Sequence, residues 1–296
     1  MKNGLSFDLE DYMHVTAFAD HLSADDWSSC VSRLEHNTDK LLTILDSSAC
    51  HATFFILGWV ADKYPHVIRR IADSGHEIAC HSLRHRLVYE MTPADFREDS
   101  RVAKSLLEDI TGKTICGYRA PSFSITKESW WAFEILCELG FSYDSSVFPV
   151  KHPNYGMIEA SRFPFVVHSS SGSLVEFPLP TLQLGRRRAP IGGGAYLRLL
   201  PYVYTRWGIR HINERELCPV CVYLHPWELD ADQPRLRASL SARLRHYLGL
   251  RRTESKFRNL LRDFEFSTLE VLVEEWREAE GREASSLQLS STTGRP

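Results

Sequence analysis

The sequence predicts an α/β fold of mostly parallel strands, a sheet or barrel carrying a C-terminal helical extension. Two observations point there. Short runs of β-forming residues alternate with segments whose apolar residues recur at helical spacing, a rhythm that joins parallel strands by crossover helices. The strand-like runs also end in polar clusters, and in such folds chemistry gathers at the C-terminal ends of the strands.

Residues 5–9 form the first strand. Val31, Leu34, Leu41, Leu42 and Leu45 mark a helix, residues 51–57 a second strand, and residues 64–74 a helix closed by Gly75. Residues 77–80 are the third strand. Thr92 caps the next helix with Pro93 in its first turn, and Gly112 ends it. A strand at 115–118, a helix from Thr126 to Gly140 and a strand at 141–143 follow. Residues 163–167 and 174–177 read as strands around a Ser-rich turn. One helix is expected over 196–212, with Pro201 near its start, and residues 221–224 are the last clear strand. The expected organisation is a catalytic unit over 1–230, a helical extension over 231–282 packed on its outside, and a disordered Ser-rich tail over 283–296.

Composition excludes several classes. Hydrophobic residues make up 43% of the 296 and charged residues 25%, ordinary values for a soluble globular chain. The formal charge of −3 offers no basic excess for nucleic acid. No apolar run approaches the ~18 residues of a membrane span. The first residues reach an acidic cluster without the ~7–15-residue apolar stretch of a secretory segment, so a cytoplasmic location is expected. Seven scattered cysteines fit reduced core thiols, and the lone Cys218-Pro219-Val220-Cys221 reads as core thiols entering a strand. Arg186-Arg187-Arg188 reads as a solvated loop, with peripheral contact to anionic lipid on the inner membrane face as its functional alternative.

Four polar clusters carry candidate chemistry. In Asp8-Leu9-Glu10-Asp11, adjacent carboxylates repel unless a cation or protons neutralise them. Asp8 and Glu10 point to the same side of an extended strand, which suits one metal ligand beside one free base; a solvated turn or cap is the bland alternative. His81 and His85 fall on one face if the chain turns helical there, a common metal-pair spacing. Arg119 leaves a strand into the turn Ala120-Pro121-Ser122, placed to orient a carboxylate or to hold an ordinary strand-end ion pair. His225 leaves a buried strand, a position suited to a general acid, and Asp144 at another strand exit is expected either to hold its imidazole or to cap a turn. Tyr118 and Trp227 flank these groups as sugar-stacking or core aromatics.

Together these pieces resemble the polysaccharide deacetylases of carbohydrate esterase family 4, over roughly residues 1–230. The matching motifs are Ser-Phe-Asp at 6–8, Ala-Thr-Phe-Phe-Ile-Leu-Gly at 52–58, Gly-His-Glu-Ile-Ala-Cys-His-Ser-Leu-Arg-His at 75–85, Arg-Ala-Pro-Ser-Phe at 119–123 and Leu-His-Pro at 224–226. Gly192-Gly193-Gly194, Arg198-Leu199-Leu200-Pro201, His225-Pro226-Trp227-Glu228 and Arg245-His246-Tyr247 further resemble the subfamily of exosortase-linked exopolysaccharide loci.

The resemblance implies a distorted (β/α) barrel with one divalent metal, usually zinc. By position Asp8 is similar to the family's catalytic base, His81 and His85 to its metal ligands, Arg119 to the residue positioning the base, and His225 to the catalytic acid. Ser122 falls where a backbone N–H meets the oxyanion. Leu9 stands where the family has a second adjacent aspartate, so the third ligand is displaced, to Glu10 by preference, with Asp11 as competitor. The expected reaction is hydrolysis of the acetamide of N-acetylated sugars, on a glycan or a lipid-linked or nucleotide-linked precursor. A cyclic imide or allantoin-type amidohydrolase and an inactive glycan-binding scaffold are the competing readings.

Overall fold

The computed structural model describes the chain except Asp20, Pro153, Asn154 and residues 293–296, with backbone alone from residue 282. In chain order the elements are β1 (Asn3–Leu9), α1 (Leu34–Ser47), β2 (Thr53–Ile56), α2 (Gly58–Lys63), α3 (Pro65–Asp73), β3 (Glu77–Cys80), α4 (Pro93–Thr111), β4 (Gly117–Tyr118), α5 (Ala132–Glu138) and β5 (Tyr143–Asp144). The second half adds β6 (Phe165–Ser169), β7 (Gly172–Glu176), β8 (Thr181–Leu184), β9 (Arg187–Pro190), α6 (Gly194–Leu199), α7 (Tyr202–Arg215), β10 (Cys221–Leu224), α8 (Leu240–Tyr247), α9 (Leu250–Asp263), β11 (Phe266–Ser267) and α10 (Leu269–Thr292).

The main sheet has the order β10-β1-β2-β3-β4-β5-β7-β6. Every pair from β10 to β7 is parallel, and β6–β7 is an antiparallel hairpin. Inner-face residues of β2, β3, β5, β7 and β10 (Phe55, Ala79, Tyr143, Val175, Cys221) meet in one apolar cluster, so the sheet wraps around its own inner face. No bond joins β10 to β6 among the described residues. The expected distorted barrel is thus a wrapped sheet whose hydrogen bonding stays open.

Side chains alternate across a strand, and this parity sorts the whole site. Leu5, Phe7, Leu9, Phe54, Ile56, Tyr118, Val222 and Leu224 face the helices and join the main core. Ser6, Asp8, Phe55, Ala79 and Cys221 take the opposite phase, and the residues that continue it past the strand ends are Glu10, His81, Arg119 and His225.

The C-terminal extension does more than cover the outside. Phe257 of α9 packs edge-on against Phe7, with ring centroids 5.7 Å apart. Leu269, Leu272 and Val273 of α10 enter the inner cluster at the N-terminal ends of the strands. There the Leu269 N–H donates to Thr53 Oγ1 at 2.8 Å and the Glu270 N–H to Glu77 Oε2 at 3.1 Å. The α10 backbone continues to Thr292; the rest of the tail expected at 283–296, and all side chains from residue 282, lie outside the described residues.

Two local expectations change. The single helix over 196–212 is two, α6 and α7, broken at Leu200-Pro201, because proline lacks the N–H and crowds the preceding turn. The loop expected at 186–188 is part of the hairpin β8–β9, where Arg188 donates to the Ala160 carbonyl at 2.7 Å. β9 is Arg-Arg-Ala-Pro, a short polar strand with no apolar alternation to read.

The Gly192-Gly193-Gly194 run has a steric cause. Gly193 has φ +92, and a Cβ there would lie 2.1 Å from Cδ1 of Tyr223 and 2.6 Å from its carbonyl oxygen. Both the backbone angle and the close approach require glycine. Gly193→Ala is therefore expected to cost roughly 1–3 kcal/mol, read as a several-degree fall in Tm by calorimetry.

Candidate active site

Asp8, Glu10, His81, His85, Arg119 and His225 converge at the C-terminal ends of β1, β3, β4 and β10. Arg119 is fully buried, and its guanidinium is saturated. Nη1 donates to Asp8 Oδ1 at 2.7 Å and Ser6 Oγ at 2.8 Å, Nε to the Ser145 carbonyl at 3.0 Å, and Nη2 to Ser145 Oγ at 2.9 Å and Cys221 Sγ at 3.4 Å. The Phe55 ring lies 4.0 Å beneath it. One Asp8 oxygen is thereby fixed, and the other, Oδ2, faces His225 Nε2 at 3.8 Å.

Glu10 Oε1 lies 2.9 Å from Nε2 of His81 and 2.9 Å from Nε2 of His85, and these three atoms form a compact ligand group. His81 Nδ1 contacts the Arg119 carbonyl at 2.7 Å. A carbonyl only accepts, so Nδ1 carries the hydrogen and Nε2 presents its lone pair. One carboxylate oxygen facing two imidazole nitrogens needs protons or a cation between them, so the donor set fits a divalent metal of the zinc type. Burial opposes ionisation of Glu10, yet His85 and His81 hold its carboxyl well below the usual carboxylate range.

The structure separates Glu10 from its competitor. Asp11 turns away, accepting from the Tyr12 N–H at 2.9 Å, the Arg33 N–H at 2.7 Å and Ser32 Oγ at 2.7 Å. The histidine pair converges without a helix. Residues 81–85 form a loop in which Ser82 and His85 adopt left-handed φ values of 62° and 55°. Asp99 of α4 holds that loop by accepting the Leu83 N–H at 2.8 Å, and Ser82 Oγ accepts the His85 N–H at 3.1 Å.

Two expected roles are overturned. Asp144 does not reach His225. It lies one residue out of phase with Tyr143 and Ser145, and accepts from Ser146 N at 2.9 Å and Ser146 Oγ at 2.7 Å. It stands opposite Glu176 across β5–β7, where burial and then the Asp144 charge push the Glu176 carboxyl well above its ordinary value. Tyr118 is no sugar platform either. By the same parity it points away from the site, edge-on to Phe96 at 5.8 Å and Phe141 at 5.4 Å.

Glu228 takes the role expected of Asp144. His225 Nδ1 donates to Glu228 Oε2 at 3.1 Å, and Glu228 pairs with the buried Arg198 at 3.2 Å. Burial favours the neutral ring, but the Glu228 hydrogen bond and charge, followed by Glu10 and Asp8, hold the His225 pKa up at about 9. The signal for Glu228 was in the sequence. Pro226 opens the turn, and His225 at the N-cap with Glu228 at the third position forms a capping box in which the Glu228 side chain folds back to accept the His225 N–H.

Trp227 borders the pocket, but its ring already stacks with His225 at 5.1 Å and His246 at 4.2 Å. Ser122, at φ +50, lies at the pocket wall with its hydroxyl 2.7 Å from that of Thr16. His14, buried beside the ligand trio, escaped sequence reasoning. Its Nδ1 accepts the Asp11 N–H at 3.0 Å, which leaves the hydrogen on Nε2, and burial holds its pKa down at about 3. The pocket above these groups has a volume of about 300 Å³ and is walled by Phe123, Tyr155, Tyr223 and, from the C-terminal extension, Arg245 and His246.

Residues 21–142 match the polysaccharide deacetylase family model, and residues 145–274 match a domain model whose function is unknown. The chain is 30% identical to a peptidoglycan deacetylase of Helicobacter pylori over 130 residues, 42% of each protein. It is 31% identical to a peptidoglycan-N-acetylglucosamine deacetylase of Bacillus cereus over 98 residues, 33% of this chain and 36% of that one. The likeness to polysaccharide deacetylases thus lies in residues 21–142, under half of the chain. A Mycobacterium smegmatis structure assigned as a polysaccharide deacetylase shares its fold, with a TM-score of 0.62 and 21% identity over 94% of this chain and 92% of that one. The aligned stretches span well under two thirds of the two named curated relatives. The deacetylase match holds His81, His85 and Arg119, whereas His225, Glu228 and Arg198 fall in the second match and Asp8 and Glu10 precede both.

Two measurements test these assignments. Glu228→Gln should move the imidazole titration of His225, followed by NMR, down from about 9 toward the ordinary histidine range, while Asp144→Asn leaves it in place. Arg119→Gln leaves the Asp8 carboxylate buried without its cation, and should lower unfolding stability by roughly 3–5 kcal/mol in denaturant titration.

Proposed function

We propose that this chain is a metal-dependent N-deacetylase, hydrolysing the acetamide of N-acetylated sugars to acetate and a free amine. The observation that carries the reading is the ligand trio Glu10, His81 and His85 beside an Asp8 held by Arg119, with His225 Nε2 3.8 Å from the free Asp8 oxygen.

A divalent ion bound by that trio supplies Lewis-acid polarisation of the acetamide carbonyl and acidifies a neighbouring water. The protein residues do the rest. Arg119 holds Asp8 Oδ1 and leaves Oδ2 facing the pocket, where it takes the proton of the attacking water. His225, protonated at neutral pH through Glu228, gives the Nε2 proton to the departing nitrogen; without it the tetrahedral species would expel water instead of amine. The short Asp8–His225 separation then lets the collected proton return to the imidazole, which resets both groups. The turn at Ser122 is placed to offer a backbone N–H to the oxyanion, and Tyr155, Tyr223 and Phe123 provide the apolar wall that Tyr118 does not.

We further place the substrate in exopolysaccharide synthesis, as a glycan or its lipid-linked or nucleotide-linked precursor met in the cytoplasm, with zinc as the metal. What supports the exopolysaccharide placement is the resemblance of the motifs around Gly192–Gly194 and Arg198 to the subfamily of exosortase-linked loci.

The test is metal content together with acetate release from acetylated chitooligosaccharides and N-acetylated exopolysaccharide fragments. About one zinc-type ion per chain is expected, lost in His81→Ala. Asp8→Asn should retain the ion and lose acetate release by roughly 10²–10⁴-fold. Bound metal with turnover of cyclic imides and none of acetylated sugars would sink the reading, as would glycan binding without metal or turnover.

A further inference from the structure

Between Pro234 and Arg252 the chain holds six arginines (235, 237, 243, 245, 251 and 252) and no Asp or Glu. None of the six forms an ion pair among the described residues. In the same stretch α8 exposes leucines at a four-residue interval: Leu240 is 71% exposed, Leu244 55% and Leu248, just past the helix, 59%. Spacing of four places them on one stripe, and the opposite side of α8 anchors the helix through buried His246. Arg235 lies over the Tyr247 ring at 4.1 Å, but among the described residues no carboxylate neutralises any of the six, so the apolar stripe stands among uncompensated cations.

We infer that α8 and the start of α9 form a docking surface for an anionic phospholipid bilayer. The stripe suits insertion at the level of the headgroups, and the arginines suit lipid phosphates. Beside the stripe lies a groove of about 530 Å³, where Leu199 and Leu248 meet Arg235, Arg251, Arg252 and Lys256 with no carboxylate in its wall. Lys256 is fixed there by donating to the carbonyls of Leu197, Arg198 and Leu200 at 2.7–2.9 Å. A nucleic acid would leave the leucines in water, and a second copy would set six like charges against six. An anionic lipid interface satisfies stripe and charge together.

The surface is joined to the catalytic pocket. Arg245 and His246 of α8 line that pocket, and α8 packs on the turn Thr16–Phe18, whose Thr16 and Ala17 form another part of its wall. Docking would bring the pocket mouth to the headgroup level, where a lipid-linked glycan is presented. The lipid-binding claim does not depend on the deacetylase reading, because binding is measured without turnover.

The experiment is co-sedimentation of the full chain with vesicles of phosphatidylcholine alone and of phosphatidylcholine mixed with phosphatidylglycerol, at low and raised salt. Partition onto the phosphatidylglycerol vesicles, weakening as salt rises, is expected. Arg251→Gln should weaken it roughly five-fold, and Arg252→Gln similarly. Leu240→Ser and Leu244→Ser should each weaken it on the order of ten-fold, with Tm unchanged in all four. Three results would overturn the inference: no partition onto phosphatidylglycerol vesicles, equal partition onto phosphatidylcholine alone, or a solution dimer that Leu244→Ser dissolves.

Discussion

Arg119 sits at the centre of the wrapped sheet with no access to solvent. A guanidinium has five N–H donors and cannot shed its charge, so its burial demands a full set of acceptors and one carboxylate. Ser6 and Asp8 of β1, Ser145 beyond β5 and the Cys221 sulfur of β10 supply them, which ties strands on either side of β4 to one side chain. The Arg119 carbonyl also takes the Nδ1–H of His81. A single residue thereby orients the candidate base through its side chain and sets the tautomer of a candidate ligand through its backbone. Breaking such a pair leaves an uncompensated buried charge, so the fold and the site share this constraint.

A second chain of charges runs from the other edge of the site. Arg198 of α6 neutralises Glu228, Glu228 holds His225, and His225 faces Asp8. Asp8 is therefore approached by a guanidinium that cannot lose its proton and by an imidazole that can. The first contact fixes one oxygen of the carboxylate, and the second brings a transferable proton to the other. That is the division of labour that amide hydrolysis requires of its base and acid. Arg198 is in turn anchored by donating to the Arg245 carbonyl of α8 at 2.7 Å, so the C-terminal extension supports the acid as well as walling the pocket.

Much of this was legible in the sequence because it depends on local rules. The strands at 77–80 and 221–224, the Thr92 cap and the Gly112 stop fall where pattern and capping chemistry put them. Asp8, Glu10, His81, Arg119 and His225 could be grouped because strand exits in a parallel sheet share one end, and because their motifs resemble a known family. Parity would also have removed two mistakes. Once Arg119 is assigned to the inner face, Tyr118 must face outward; once Ser145 binds Arg119, Asp144 must point elsewhere.

The sequence by itself determined the element types, the end of the sheet at which chemistry collects, and the residue types available there, because helix periodicity, strand alternation and capping act within a few residues. Only the tertiary structure decided which carboxylate serves which partner. Asp11 and Glu10 are neighbours in the chain, yet one is consumed by the backbone of residues 12 and 33 and the other meets two histidines more than seventy residues away. The same holds for Glu228 over Asp144, and for α10 closing the inner cluster. These choices are set by crossing distances between strands and by competition for buried hydrogen bonds, quantities that depend on the assembled fold and on no local stretch of sequence.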